Sequence, residues 1–236
     1  MTLKELKEEV YDKNLELVRR GLVIYTWGNV SAIDREREIV IIKPRGIEYE
    51  KLTPEDMSVV NMKGELIEGK LLPSVDLDIH MEIYKAFENV GGIAHTHSVF
   101  ATSFSQALQP IISMGTTHAD HFNGDIPCIP YLSKQETEKE YEKNLGLQIV
   151  RYFVDNRINP EEMGAVLAGG HGPFTWGKNA AESVEHSVIL EELAKMAVFT
   201  HLLGEDGIML PHYMQDKHYY RKYGSNAYFY QEKIDG

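Results

Sequence analysis

His95-Thr96-His97 carries the sharpest chemical signal in the chain. Residues i and i+2 of a strand point to one face, so two imidazoles at this spacing can chelate one cation, with Thr96 on the other side. Two polar residues at a strand end are also ordinary surface, and a third ligand is needed to decide. His171 is the candidate, between Gly170 and Gly172 directly after the apolar run Ala165 to Ala168, where small neighbours let the backbone turn and expose the ring. Three neutral nitrogens suit Zn²⁺, with Mn²⁺ or another divalent ion as alternatives, and leave a coordination position open for chemistry. Asp76, at a predicted helix start, is the expected fourth ligand in preference to Asp78, although an acid there also serves the helix dipole. His118 and His121 rank below these as alternative ligands.

Thr116-Thr117-His118-Ala119-Asp120 places an acid beside three hydrogen-bonding residues, so Asp120 is a candidate general acid or base; the plainer reading is a polar turn. Gly28-Asn29 and Lys43-Pro44-Arg45-Gly46 each lie at a strand candidate and could present backbone N–H groups and a cation to an anion, or simply turn the chain. The run Lys217 to Tyr223 is basic and aromatic, but too short to be a nucleic-acid footprint in a chain of formal charge −12.

Positioning these groups requires the following elements. Apolar spacing predicts a helix over residues 3 to 20, strands over Trp27 to Ala32 and Ile39 to Lys43, and a helix from Ser74 or Asp76 to Phe87. A short strand from Ile93 to His97 follows, then a helix over Val99 to Leu108 with Ser98 as its cap. Strands are expected over Pro110 to Met114, Ile126 to Ile129 and Ala165 to Ala168, and helices over 137 to 154, 180 to 203 and 211 to 222. The alternation lacks a regular βαβ period, which favours a layered sheet packed between helices over a barrel or a doubly wound fold.

The 236 residues, 43% apolar and 25% charged, show no linker or repeat and predict one globular domain over residues 1 to 236. An excess of 36 acidic over 24 basic side chains repels polyanions, so nucleic acid is not an expected partner, and a phosphorylated ligand needs local cations or backbone N–H groups. No run approaches the length of a membrane span. A lone cysteine, Cys128, and an N-terminus without an apolar core predict a cytoplasmic protein.

Taken together, Thr26-Trp27-Gly28-Asn29-Val30-Ser31, His95-Thr96-His97-Ser98, Gly115 to Asp120, His171-Gly172-Pro173-Phe174 and Lys217-His218-Tyr219 resemble the L-ribulose-5-phosphate 4-epimerases of the class II aldolase/epimerase family. The resemblance runs from about residue 5 to residue 231 with nearly constant spacing. It implies an α/β/α layered fold with a central, mainly antiparallel sheet, in a homotetramer with active sites at subunit interfaces. It also implies Zn²⁺ held by Asp76, His95, His97 and His171, and conversion of L-ribulose 5-phosphate to D-xylulose 5-phosphate. The C3–C4 bond would break in a retro-aldol step, and re-addition to the other face of the rotated aldehyde would invert C4. By the same resemblance Asp120 handles a proton on one face. Thr116, Glu142 and His218, the last from a neighbouring subunit, line the site, and Lys43 makes a polar contact near the substrate.

Three departures from the family pattern matter. The second acid/base, expected as the latter tyrosine of a Tyr-Tyr-Gly-Gln run, falls on Phe229 within Tyr228-Phe229-Tyr230-Gln231. Phenylalanine cannot transfer a proton, which leaves Tyr228, Tyr230 or a water. A phosphate loop expected as Lys-Pro-Ser-Gly reads Lys43-Pro44-Arg45-Gly46, and Ser-Ser-Asp reads Ser74-Val75-Asp76. Either Arg45 makes a bidentate phosphate contact that compensates for Val75, or the site has moved toward an unphosphorylated sugar. The rival activities are class II aldol cleavage of a ketose 1-phosphate and a non-catalytic adducin-like binding module.

Overall fold

The computed structural model describes residues 1–204 and 207–229. One mixed sheet of eight strands runs through it: β1 (Gly28–Asp34), β2 (Ile39–Ile42), β3 (Ser58–Asn61), β4 (Leu66–Glu68), β5 (Gly92–Thr96), β6 (Cys128–Ile129), β7 (Ala165–Ala168) and β8 (Gly172–Gly177). Their order is β4-β3-β2-β1-β5-β8-β7-β6, and every pair is antiparallel except β6 with β7. The helices are α1 (Leu3–Arg19), α2 (Leu77–Ala86), α3 (Val99–Ala107), α4 (Thr116–Ala119), α5 (Lys134–Glu138), α6 (Tyr141–Asp155), α7 (Ala180–Leu203) and α8 (His212–Tyr223).

Strand alternation divides the core. Ile39 and Ile41 of β2 face one way, onto Leu6, Val10 and Leu17 of α1 and Ala180 and Val184 of α7. Val40 and Ile42 face the other way, onto Leu77, Met81 and Tyr84 of α2 and Leu145, Ile149 and Phe153 of α6. The sheet is thus covered on both faces, as a layered α/β/α fold requires. No helix among the described residues is long and apolar enough to cross a membrane.

Several expectations need correction. Pro110 to Met114 is not a strand: only Ile111 bridges to Ile126, because Pro110 has no N–H and the N–H of Ser113 is taken by the Asp125 side chain at 2.8 Å. The helix expected over 137 to 154 is two. Glu140 adopts the left-handed conformation between α5 and α6, and the Asn144 side chain satisfies the carbonyls of Glu136 and Lys139 released by the break. Ser98 occupies the cap position of α3 without a capping bond; Glu191 of α7 accepts the N–H groups of Phe100 and Ala101, each at 2.9 Å. The spacing predicts no strand at β3, β4 or β8; β8 begins at Gly172-Pro173, which reads as a turn in isolation.

Candidate metal centre

The central strand β5 ends at Thr96, so His95 is its last-but-one residue and His97 lies just beyond it. β1 and β8 flank it, pairing Asn29 and Phe174 with His95 across the sheet. β7 and β8 are joined by Gly169-Gly170-His171, which hangs His171 over the same sheet end. Two glycines permit this close approach. Gly28 has φ +135° and a Cβ there would lie 2.7 Å from the His95 carbonyl oxygen; Gly172 has φ +154° and its Cβ would lie 2.7 Å from that of Thr96.

One ring nitrogen from each of His95, His97 and His171 falls within 4.8 Å of the others. His95 Nε2 and His171 Nε2 stand 3.2 Å apart. The opposite nitrogen of His95 donates to the Pro173 carbonyl at 2.9 Å, and since a carbonyl only accepts, the proton sits on Nδ1 and the Nε2 lone pair is free. His171 Nδ1 bonds the hydroxyl of Tyr141 at 3.0 Å. Phe174 stacks on His95 at 4.2 Å. His95 and His171 are therefore oriented from behind, as metal-binding imidazoles are.

Electrostatics favour neutral ligands. Burial pushes the His95 pKa well below its ordinary value, and the neighbouring His171 and His97 add to it. Burial also lowers His97 and His171, with the Asp76 carboxylate opposing in both cases. Asp76 itself is held by Asn29 Nδ2, which donates to Oδ2 at 2.7 Å, and by Ser74 Oγ at 3.3 Å. Asp78, in the first turn of α2, is exposed. Three ring nitrogens within 4.8 Å of one another fit a divalent cation; Asp76, the expected fourth ligand, acts on His97 and His171 through its charge but is not a member of that close group.

The anion-binding candidates assemble next to this centre. Ser74 N–H donates to the Lys43 carbonyl at 3.0 Å and Arg45 N–H to that of Leu72 at 3.1 Å, so the two loops expected to hold a phosphate lie side by side. Asn29 also reaches Ser74 Oγ, at 3.1 Å. Arg45 and Gly46 are exposed, as is Val75. The Lys43 amine is buried 4.6 Å above the Tyr49 ring, and burial lowers its pKa to about 8. Glu142 follows Tyr141 in the first turn of α6, and the Tyr141 pKa is raised by burial and then by Glu142 and Asp76.

Asp120 belongs to a second cluster. Its carboxylate takes two hydrogen bonds from Arg221, at 2.9 and 2.6 Å, and lies 3.2 Å from His218 Nδ1. Burial resists its ionisation, but the bonds from Arg221 and His218 outweigh this and hold its pKa below the ordinary value. All of these contacts are to α8 of the same chain; none reaches the imidazole cluster. Thr116 opens the short helix that carries Asp120. Tyr228 and Phe229 both donate backbone N–H groups to the Arg221 carbonyl, and the Phe229 ring covers the guanidinium at 5.2 Å. Tyr230 lies outside the described residues. His118 and His121 do not join the metal cluster: His118 Nε2 donates to the Gly124 carbonyl at 2.8 Å, and His121 faces Lys222.

The profile of the Class II Aldolase and Adducin N-terminal domain matches residues 8–198. The chain belongs to this family. Among solved structures of the fold, an L-fuculose 1-phosphate aldolase superposes with a TM-score of 0.78 at 23% identity, covering 92% of this chain and 96% of that one. YgbL from Klebsiella pneumoniae, described as a putative aldolase/epimerase/decarboxylase, gives 0.73 at 25% identity, covering 92% and 99%. An L-fuculose-1-phosphate aldolase from Thermus thermophilus gives 0.67 at 22%, covering 86% and 98%. For a class II aldolase-family chain, Tyr141 and Arg221 are the site residues that sequence reasoning missed. Tyr141 carries no local signal, and Arg221 was visible only as one charge in a basic helix.

Proposed function

We propose that this chain is a metal-dependent C4 epimerase of a ketose phosphate, converting L-ribulose 5-phosphate to D-xylulose 5-phosphate through cleavage and re-formation of the C3–C4 bond. The observation that carries the reading is the convergence of His95, His97 and His171 within 4.8 Å, with Asp76 oriented beside them. A divalent ion held there, Zn²⁺ or Mn²⁺, supplies a Lewis acid for the negative charge that develops when the carbon bond breaks. The neutral rings keep their lone pairs available, and Pro173 and Tyr141 fix their orientation.

Inversion at C4 requires proton handling on both faces of the carbon, because the C4 oxygen loses its proton on one side and regains it on the other. Asp120 and His218 form one such unit. They are bonded to each other within a chain, so a neighbouring subunit that brings His218 to the centre brings Asp120 as well. In the homotetramer with shared sites proposed here, the pair enters the centre together. The opposite face falls to Tyr228, Tyr230 or a water, since Phe229 has no proton to give. Asn29, Gly28, Ser74 and Glu142 line the centre, Thr116 joins it with the Asp120 unit, and Lys43, Arg45 and Gly46 with the Val75 loop meet the phosphate.

Aldol cleavage of a ketose 1-phosphate is the second reading, favoured by the fuculose phosphate aldolases among the structural neighbours. Product analysis separates the two. Incubation of the Zn²⁺- or Mn²⁺-loaded protein with L-ribulose 5-phosphate is expected to yield the C4 epimer. Accumulation of dihydroxyacetone phosphate and an aldehyde from a ketose 1-phosphate, without epimer, would establish the aldolase instead. Turnover of unphosphorylated ketoses in preference to the phosphate would remove the phosphate from the assignment.

A further inference from the structure

His80 is fully buried on α2, one helical turn beyond Asp76. Its Nδ1 lies 2.7 Å from Ser31 Oγ, and Ser31 Oγ lies 2.8 Å from the Tyr84 hydroxyl. Ser31 stands two residues beyond Asn29 on β1, hence on the same face of the sheet. Two parallel rungs therefore tie β1 to α2: Asn29 to Asp76, and Ser31 to His80.

The His80 ring also meets the ring of Phe174 edge-on at 6.2 Å, while the face of Phe174 stacks on His95. One side chain thus braces both the helix that carries Asp76 and the ring that backs His95. A purely structural role explains this residue poorly. His80 Nε2 is buried with no hydrogen-bond partner among the described residues, as is Oδ1 of Asn29. An unsatisfied buried polar atom costs on the order of 1–3 kcal/mol, whereas an apolar side chain would fill the same place without it. Of the other buried residues of α2, Leu77, Ile79, Met81 and Ile83 are apolar, and Tyr84 sends its hydroxyl to Ser31.

We infer that His80, with Ser31 and Tyr84, is a positioning residue for the metal centre, setting the placement of Asp76 and His95 and hence the affinity for the divalent ion. This rests on the metal-binding reading above and adds to it a buried support that touches neither ion nor substrate. Outer partners of metal ligands characteristically contribute 10- to 100-fold in affinity.

The test is a Zn²⁺ dissociation constant from chelator competition on the full-length protein, stripped of metal, read beside the thermal midpoint. Ser31→Ala is expected to raise the constant by up to about 10-fold, the low end for outer partners, because Ser31 bonds no ligand itself. Ser183→Ala removes a buried hydroxyl that bonds the Ala180 carbonyl in α7, on the opposite face of the sheet; it should lower the midpoint and leave the constant unchanged. Should Ser31→Ala not fold, Tyr84→Phe and His80→Gln report on the same chain of bonds. Wild-type affinity in folded variants of this chain overturns the inference alone. A wild-type protein that takes up no stoichiometric metal overturns the metal reading and the inference with it.

Discussion

Arg221 grips both carboxylate oxygens of Asp120, Nε on Oδ1 at 2.9 Å and Nη2 on Oδ2 at 2.6 Å. The pairing joins the short helix α4 to α8 across a hundred residues of sequence, and His218 completes it from one turn earlier on α8. Its consequence is a carboxylate that is charged in the resting protein at neutral pH.

Because the folded pKa of Asp120 is lowered, its contribution to stability is complete above the ordinary carboxylate pKa and is lost as pH falls through the lowered value. Arg221→Gln should remove that increment. Thermal midpoints are expected to differ between wild type and variant at neutral pH, with the gap closing toward acid. A gap that stays constant with pH would show that Asp120 does not depend on Arg221 for its ionisation.

Burial drives the pKa of His118 and of His121 down to about 4, with Lys222 and His186 assisting at His121. An unfolded chain takes up protons on these rings near pH 6.5, while the folded protein refuses them until about 4. Stability should therefore decline as pH falls through this window. His118→Gln should flatten the decline, as measured by urea midpoints between pH 7 and 4; an unaltered slope would argue against a neutral buried ring.

Gly28→Ala should destabilise the fold by roughly 1–3 kcal/mol, because φ is +135° there and the added carbon meets the His95 carbonyl at 2.7 Å. The same displacement moves His95, so metal affinity should fall with it. Urea denaturation checks the first effect and metal titration the second.

Tyr141→Phe removes the hydroxyl that bonds His171 Nδ1 and leaves the ring stacked in place. Affinity for Zn²⁺ should weaken about 10- to 100-fold with the fold intact. His97→Ala should go further, abolishing turnover and bound metal together; an active His97 variant would remove that residue from the ligand set.

Near the C-terminus the expected acid/base position holds Phe229, whose ring covers Arg221 and Lys222. If Tyr230 replaces the missing hydroxyl, Tyr230→Phe should cut epimerisation strongly and Tyr228→Phe should not. Equal and small effects would point to water. Steady-state rates of the two variants decide.

Much of this protein was legible before folding. The i, i+2 spacing of His95 and His97 on an apolar strand, a third histidine between glycines, and helices marked by apolar periodicity are local signals, and they agree with α1, α2, β5 and α7 as found. Local signals failed where the deciding partner is distant. Glu191 caps α3 in place of Ser98, Asn144 stabilises the break before α6, and β8 exists because β5 and β7 pair with it on either side.

The amino-acid sequence determined which groups are available for chemistry: three imidazoles, a carboxylate at a helix start and an acid in Thr116 to Asp120. Tertiary structure alone decided that the imidazoles meet, since their nitrogens come together only through the pairing of β1, β5 and β8. It likewise decided that Asp120 is bound by Arg221 within its own chain and that Asp76 is held by Asn29. Side-chain identity is written residue by residue, whereas proximity depends on register and packing summed over the whole sheet.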